Sequence, residues 1–270
     1  MKGKVVVITG GNSGIGKALV KEYGSKGSKV AFTGRRPEAV AEAQAEFAAL
    51  GIEVMGIVAD VSKEEDNKRM ADEVLSQWGK IDILINNAGI SMRALFEDLD
   101  LSVMHQLMNI NFYGTVYATK YCLPSIIENK GSVIGISSIA GFRGLPARAG
   151  YTASKFALQG FLEVLRTEMR YKGVHVMIAC PGFTASNIRK KSLTEDGTAQ
   201  KDSPRNEGKM MPPEECAAHI YKANKKRKKL LILTMLGKLT VLFNKFFPSF
   251  MDRMTYNAMA KEPNSPLKKP

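Results

Sequence analysis

Cysteine is scarce in this sequence, with three residues in 270. They are Cys122, Cys180 and Cys216, an odd number with no close spacing. Disulfide frameworks need an even set of cysteines, and structural zinc sites need closely spaced ligand pairs. The composition therefore argues against both, predicts no metal site and favours a reducing compartment.

Long hydrophobic runs are missing as well. No stretch of the sequence approaches the roughly 18 consecutive apolar residues of a transmembrane helix. The apolar part of the N-terminal sequence MKGKVVVITGG is too short for a secretory signal. We therefore expect a cytoplasmic protein that is at most attached to a membrane surface.

Acidic residues are too few to balance the basic ones, and the imbalance lies near the C-terminus. From Arg189 to Pro270 the chain has 18 basic and 8 acidic residues, which gives this part +10 of the total net charge of +13. Nucleic-acid binding is one use of such a charge. No aromatic platform or binding motif accompanies the basic residues, so we expect no nucleic-acid partner.

Short apolar runs alternate with helical patterns along the chain. The runs are KVVVIT, KVAFT, EVMGIVA, IDILIN, SVIGIS, VHVMIA and KLLIL, and the helical patterns cover Ile15–Lys26, Pro37–Leu50, Lys63–Trp78, Leu101–Glu128, Tyr151–Tyr171 and Pro213–Lys226. Strands this apolar need helices on both faces of a parallel sheet. The pattern predicts an α/β fold, a Rossmann-like doubly wound parallel sheet of about seven strands, in one domain spanning residues 1–270 with an extension from about 236 to 270.

The first strand leads into the sequence TGGNSGIG, with glycines spaced between a strand and a helix. Such a turn lets a backbone approach a pyrophosphate closely and directs a helix N-terminus at it. The sequence therefore predicts a dinucleotide site. The residues expected to line this turn are Gly10, Asn12, Ser13, Gly14, Ile15 and Gly16.

The end of the second strand indicates which dinucleotide is bound. An NAD-selective site usually places a carboxylate there for the ribose 2′-hydroxyl, whereas this chain has Gly34 followed by Arg35 and Arg36. The planar guanidinium suits a phosphate. We expect NADP(H) as the cofactor, and the alternative is a pair of solvated loop arginines.

The sequence YTASK begins a helical pattern with a tyrosine and a lysine one turn apart, Tyr151 and Lys155. An ammonium beside a phenol favours phenolate and lowers the pKa of the tyrosine. Taken alone, the pair also fits an exposed tyrosine and a solvated lysine.

Six motifs occur in order and together resemble the short-chain dehydrogenase/reductase family, over about residues 4 to 188. They are TGGNSGIG at 9–16, NNAG at 86–89, NINFYG around Asn111, ISSIAG around Ser138, YTASK at 151–155 and PG at 181–182. The tail, FEDLD at 96–100 and YTASKFALQG are similar to the members that include 3-ketodihydrosphingosine reductases and hydroxysteroid dehydrogenases.

The resemblance implies a catalytic role for four residues. Tyr151 would be the general acid that protonates the developing alkoxide. Lys155 would lower its pKa and hold the nicotinamide ribose, and Ser138 would donate a second hydrogen bond to the substrate oxygen. Asn111 would anchor a water that links Lys155 to solvent.

The resemblance also implies further cofactor contacts. Asp60 and Val61 would contact the adenine, and Pro181 and Gly182 would lie by the nicotinamide. Ser186 stands where the family commonly has threonine, and Thr184 is the alternative contact for the carboxamide. The wall beside the adenosine ribose would consist of Asn87, Ala88 and Gly89.

Two later segments keep alternative interpretations. The stretch Asn187–Pro213 is polar and turn-rich, which fits a lid or a loop without a role. The tail joins the basic run Lys225–Lys229 to a phenylalanine-rich amphipathic pattern. That pattern fits either a peripheral membrane contact or packing on the domain or on another subunit.

The sequence predicts an NADPH-dependent oxidoreductase that reduces a ketone on a lipophilic substrate. A long-chain 3-oxo lipid such as 3-ketodihydrosphingosine is the first expectation, and a steroid or small carbonyl is the second. A non-catalytic NADPH sensor is the alternative from another class, against which the four intact catalytic residues argue. The resemblance also implies a homodimer or homotetramer, in which the helices around Leu101–Glu128 and Tyr151–Tyr171 would make the family's usual contacts.

Overall fold

A parallel sheet forms the centre of the computed structural model, which describes residues 1–186, 188–201, 208 and 210–267. Within these residues the sheet has seven strands: β1 (Val5–Ile8), β2 (Lys29–Gly34), β3 (Val54–Val58), β4 (Ile83–Asn86), β5 (Ser132–Ile136), β6 (His175–Cys180) and β7 (Leu230–Ile232). Their order is β3-β2-β1-β4-β5-β6-β7, and all six neighbouring pairs are parallel. The doubly wound fold expected from the sequence is confirmed.

Helices connect the strands and cover both faces of the sheet. They are α1 (Gly14–Ser25), α2 (Pro37–Ala49), α3 (Glu64–Trp78), α4 (Leu101–Met108), α5 (Gly114–Glu128), α6 (Ala149–Glu168), α7 (Pro213–Lys225), α8 (Met235–Phe246) and α9 (Pro248–Ala260). The chain winds outward from β1 to β3 and then crosses back to β4. The carboxyl ends of β1 and β4 therefore form the topological switch point, where ligands bind in such sheets.

The core consists of two layers, one on each side of the sheet. Val6 and Ile8 pack against α1, α2 and α7, whereas Val5 and Val7 pack against α3, α5 and α6. Successive side chains of a strand point to opposite faces, so a strand covered on both sides must be apolar throughout. All three cysteines are buried in these layers as free thiols.

Two helix boundaries differ from the sequence-based expectation. The helical pattern from Leu101 to Glu128 is interrupted by a π-helical turn, Asn109–Tyr113, between α4 and α5. Such a turn contains one more residue than an α-helical turn and often occurs at functional sites. Helix α6 begins at Ala149, two residues before Tyr151, which places Tyr151 and Lys155 in its first turns.

The C-terminal extension folds as α8 and α9, which pack against each other beside the carboxyl end of the sheet. None of the helices formed by the described residues combines the length and apolar character needed to cross a membrane. Of the stretch expected to be a lid or loop, residues 187, 202–207 and 209 lie outside the described residues. Its role as a lid stays a prediction.

Candidate active site

A cavity of about 1240 Å³ lies at the carboxyl end of the sheet, over the switch point. Ser138, Tyr151 and Lys155 line it. Every residue predicted to contact the cofactor lines the same cavity: Gly10, Asn12, Ser13, Gly14, Ile15, Gly16, Arg35, Arg36, Asp60, Val61, Asn87, Ala88, Gly89, Tyr151, Lys155, Pro181, Gly182, Thr184 and Ser186. Residues from seven separate segments of the chain thus meet at one site, as expected for a topological switch point.

The glycine turn after β1 is packed too closely for side chains. A Cβ on Gly16 would lie 2.2 Å from the Gly10 carbonyl oxygen, and Gly10 itself has φ +66°. Thr33 at the end of β2 holds the turn, because its Oγ1 accepts a hydrogen bond from the Gly10 N–H at 3.2 Å. Glycine is required at both positions, by space at Gly16 and by backbone conformation at Gly10.

Asn87, the residue directly after β4, supports this turn. Its Nδ2 donates to the carbonyl oxygens of Thr9 and Gly10 at 2.9 and 3.2 Å. The Thr9 hydroxyl oxygen accepts from the N–H groups of Asn87 and Ala88, both at 3.0 Å. The Asn87 side chain is therefore a brace for the turn, in addition to its place on the cavity wall. Thr9 and Thr33 were not predicted as site residues, although each is a threonine at the end of an apolar strand and Thr9 begins the TGGNSGIG motif.

The N-terminus of α1 fits a pyrophosphate. Ser13 at the N-cap makes no side-chain hydrogen bond to the helix, and the first turn contains no acidic residue. A Cβ on Gly14 would contact only Ser186, at 3.4 Å, so the backbone faces open space. Unpaired N–H groups and the positive end of the helix dipole bind anions at such a position.

The two arginines after β2 lie exposed at the edge of the cavity. No carboxylate of the residues that the structure describes is placed in an ion pair with Arg35 or Arg36. Asp60, in contrast, is occupied locally, since its Oδ1 accepts from the N–H and the hydroxyl of Ser62 at 3.0 and 2.8 Å. Arg35 and Arg36 are therefore the charged groups that directly follow β2 at this end of the cavity, where Glu42 of α2 also lines the wall.

The segment after β6 closes the other end of the cofactor region. A Cβ on Gly182 would lie 2.6 Å from the Thr234 side chain, which precedes α8. The Thr184 hydroxyl is buried and donates to the Gly182 carbonyl at 3.5 Å, whereas Ser186 is partly exposed beside Gly14. The structure thus places both candidate hydroxyls on the cavity wall, with Ser186 the more accessible.

The catalytic candidates converge from β5 and α6. Lys155 is buried, and its Nζ donates to the carbonyl oxygen of Ile136, the last residue of β5, at 2.9 Å. The same Nζ lies 5.7 Å from the ring centroid of Tyr151. Ser138 caps a short turn by accepting from the Ala140 N–H at 3.2 Å, and its side chain also interacts with the Tyr151 phenol.

Burial controls the ionisation of this pair. It lowers the pKa of Lys155 to about 8 because a buried ammonium loses its hydration. It also raises the pKa of Tyr151, against the opposing effects of the Ser138 side chain and of the charges on Arg148 and Arg189. The sequence-based expectation of a lowered pKa at Tyr151 is therefore corrected, since desolvation of the phenolate outweighs every favourable charge.

Asn111 lies beneath the cavity and is not part of its wall. Its Oδ1 accepts from the Ile90 N–H at 2.8 Å, and its Nδ2 donates to the Ile90 carbonyl and to Ser154 Oγ at 3.0 and 2.9 Å. The π-helical turn directs the side chain inward to make these bonds. Asn111 thus joins the loop after β4 to α6, and its water-anchoring role stays a prediction.

The C-terminal helices form one side of the cavity. In α9, Met251, Thr255 and Met259 are spaced by four residues, buried and turned toward the cavity. From α8, Leu236 and Thr240 contribute. One helix face supplies each stripe, because residues four apart lie one above the other.

A buried cluster of three charges fastens the segment after α9. The Glu262 carboxylate lies 3.7 Å from an Arg93 nitrogen and 3.4 Å from an Arg148 nitrogen, and Arg93 also donates to the Pro263 carbonyl at 2.7 Å. Arg148 is the N-cap residue of α6, three positions before Tyr151. The C-terminal segment is therefore tied directly to the start of the catalytic helix.

A second ion pair joins the helices to the loop before α6. Arg143 pairs with Asp252 and also donates to Asn244 Oδ1 at 3.0 Å, while Asn244 Nδ2 donates to the Phe142 carbonyl at 2.9 Å. The Asp252 side chain is 72% exposed, whereas Glu262 is almost completely buried. The two ties thus differ mainly in their access to water.

Comparisons with known proteins agree with this arrangement. The family model for short chain dehydrogenases matches residues 4–197. A mouse (Mus musculus) protein named dehydrogenase/reductase SDR family member 7B is 32% identical over 271 residues, which cover 98% of this chain and 84% of the mouse protein. A Pinus massoniana protein named 11-beta-hydroxysteroid dehydrogenase is 35% identical over 260 residues, which cover 93% of this chain and 73% of the pine protein.

The fold is also found among solved structures. The crystal structure of a short chain dehydrogenase/reductase from Burkholderia phymatum in complex with NAD superimposes with a TM-score of 0.83 at 23% identity, over 92% of this chain and 95% of that one. At this identity the likeness concerns the fold alone.

The lowered pKa of Lys155 predicts a pH-dependent stability. Below about pH 8 both folded and unfolded states hold the proton, and the folded state bears the full cost of the buried charge. Between pH 8 and 10.5 the folded protein releases the proton first, so this contribution to stability rises with pH. We expect the melting temperature of Lys155→Met minus that of the wild type to decrease over this range. A difference that does not change with pH would contradict a buried ammonium.

The two C-terminal ties predict unequal losses of stability. Glu262→Gln removes the charge of a buried carboxylate that pairs with two guanidinium groups, so the free energy of unfolding should fall by about 3–5 kcal/mol. Asp252→Asn, the control, removes an exposed partner and should cost less than about 1 kcal/mol. Urea unfolding of both variants measures the difference. Equal losses would show that Glu262 is not a buried charge partner.

Proposed function

Since the chain belongs to the short-chain dehydrogenase family and is an oxidoreductase, we propose that it reduces a lipophilic ketone to a secondary alcohol with NADPH. One observation carries this proposal. Ser138, Tyr151 and Lys155 line the same cavity as the methionines of α9, Met251 and Met259. A hydride-transfer site with one apolar side suits a substrate that joins a carbonyl to a hydrocarbon body.

The raised pKa of Tyr151 suits a general acid. Its phenol stays protonated at neutral pH and donates its proton to the substrate oxygen as negative charge develops there. Ser138 donates a second hydrogen bond to the same oxygen. When bound, the nicotinamide supplies the hydride. Lys155 faces the cavity beside the phenol, and its ammonium stabilises the phenolate left after the transfer.

The two arginines at the edge of the cavity support NADPH as the cofactor. The chain has no carboxylate at Gly34 to hold a ribose 2′-hydroxyl, and Arg35 and Arg36 lie at the edge of the cavity. A guanidinium binds a 2′-phosphate through charge-assisted hydrogen bonds.

The apolar side of the cavity supports a long-chain 3-oxo lipid such as 3-ketodihydrosphingosine as the substrate class. Leu236, Met251, Met254 and Met259 line this side, and flexible methionines adapt to an alkyl chain. A steroid ketone is the second candidate, because the pine relative carries the name of an 11-beta-hydroxysteroid dehydrogenase.

An exposed stripe on α6 supports the expected homodimer or homotetramer. Phe156, Gly160 and Val164 are spaced by four residues and are all exposed. Because the central residue is a glycine, a second helix can approach this face closely and pack against the Phe156 and Val164 side chains. The assembly stays a prediction.

Turnover of a substrate series tests the proposed reaction. With NADPH, we expect oxidation of the cofactor in the presence of 3-ketodihydrosphingosine in detergent, and weaker or no activity with a short 3-oxoacyl thioester. Tyr151→Phe should reduce turnover by about 10²- to 10⁴-fold, because it removes the general acid. NADPH binding, followed by fluorescence, should persist in this variant. Activity on small carbonyls alone would contradict the lipophilic substrate.

The cofactor preference predicts the effect of reversing one charge at the cavity edge. Arg35→Asp and Arg36→Asp should each raise the KM for NADPH, by about 10- to 100-fold for the arginine that binds the 2′-phosphate. The KM for NADH should change little, because NADH has no 2′-phosphate. The control is Arg170→Asp, which makes an equal charge change at an exposed residue that does not line the cavity. Parallel changes for both cofactors would contradict phosphate recognition.

A further inference from the structure

Helix α8 presents its apolar side chains to solvent. Of its twelve residues only Gly237 is buried. Met235, Leu239, Leu242 and Phe246 follow a helical spacing and are between 43 and 68% exposed. Scattered exposed apolar residues are ordinary, whereas a continuous stripe marks an interaction surface.

The exposed stripe continues into α9. Phe247 and Phe250, at the start of α9, are 56 and 57% exposed, and Met254 one turn later is 49% exposed. We call these residues, with the α8 stripe, the apolar face. It is made by the same two helices that line the cavity from their other sides.

The mouth of the cavity opens on this apolar face. Leu236 and Met254 both line the cavity, yet 64% and 49% of their surfaces are exposed. They therefore stand at the rim, with the cavity on one side and the apolar face on the other. A lipophilic molecule on this face would reach the cavity without crossing a polar surface.

The charges on the two helices that form the apolar face are mostly basic. From Met235 to Met254 the charged residues are Lys238, Lys245, Arg253 and Asp252, and Asp252 is paired with Arg143. Within α8, Lys238 and Lys245 are seven residues apart, so both lie on one side of the helix, next to the apolar stripe, and both are exposed. An amphipathic helix with apolar residues beside lysines is typical of helices that lie in the interface of an anionic membrane.

We propose that the apolar face of α8 and α9 docks on an anionic membrane surface and admits the ketone to the cavity from the lipid. The substrate part of this proposal rests on the proposed function, and the docking part does not. Charge favours a membrane over a second copy of the chain, because a symmetric contact through this face would bring the lysines of two copies together.

Vesicle binding tests the docking directly. Full-length protein is mixed with vesicles of phosphatidylcholine alone or with added phosphatidylserine, and bound protein is separated by flotation. We expect binding to the vesicles with phosphatidylserine, weakened by salt. Leu242→Glu/Phe246→Glu should reduce the bound fraction at least tenfold, because it places two carboxylates in the apolar stripe. Lys238→Glu/Lys245→Glu should remove the dependence on phosphatidylserine.

A matched control separates docking from net charge. Leu50→Glu/Tyr171→Glu changes the charge equally at residues that are 59 and 92% exposed on other parts of the protein, and it should bind vesicles like the wild type. Equal losses in this control, or binding that ignores phosphatidylserine, would overturn the proposal. The proposal would also be overturned if Leu242→Glu/Phe246→Glu had a lower mass in sedimentation than the wild type but bound vesicles equally well. The apolar face would then be a contact between two copies of the chain.

Kinetics distinguish the two parts of the proposal. Neither Leu242 nor Phe246 lines the cavity, so their double variant should keep wild-type turnover of a short, water-soluble ketone. Its KM for a long-chain ketone supplied in phosphatidylserine vesicles should rise at least tenfold. Vesicle binding by a wild-type protein that reduces no long-chain ketone would refute the proposed substrate and leave the docking intact. Unchanged KM for the vesicle-borne ketone would refute entry from the lipid.

Discussion

The close approach of β1 to β4 is the constraint on which the site depends. The chain turns at Gly10 with so little space that Gly16 has no room for a Cβ, and Asn87, directly after β4, fills the gap with hydrogen bonds to two carbonyls of the turn. This packing fixes where α1 begins and therefore where its unpaired N–H groups point. The same contact brings the ends of β2, β4 and β5 within one cavity. The pairing of β1 with β4 thus positions both the cofactor region and the candidate catalytic residues.

Burial decides the chemistry of the catalytic pair. A helix that carries Tyr151 and Lys155 on one face would favour phenolate in water, but both groups face a desolvated cavity. The pKa of the lysine falls and that of the tyrosine rises. The phenol is therefore kept in its protonated form, which is the form that the proposed ketone reduction requires. Ile136 and Ser154 take part in this arrangement through hydrogen bonds to Lys155 and Asn111.

The C-terminal helices have two opposite surfaces, and both are apolar. One surface of α9 is buried against the cavity, and Glu262 and Asp252 fasten the segment to Arg148 and Arg143 near Tyr151. One tie ends at Arg148, the N-cap residue of α6, and the other at Arg143 in the loop before this helix. The other surface remains exposed around the cavity mouth. The two helices therefore line the cavity, border its mouth and are fastened next to the helix that carries Tyr151.

The sequence by itself determined the fold class and identified many of the residues that line the cavity. Runs such as KVVVIT and SVIGIS are apolar at every position, and only a parallel sheet covered on both faces accommodates that. The glycine turn and the Tyr151–Lys155 spacing are local signals, because neighbouring residues impose them. Tertiary structure decided the remainder. The brace from Thr9 to Asn87, the inward turn of Asn111 and the cluster around Glu262 join residues 21 to 170 positions apart. These contacts, like the burial that shifts a pKa, depend on which distant segments of the chain pack together. No local pattern in the sequence specifies that packing.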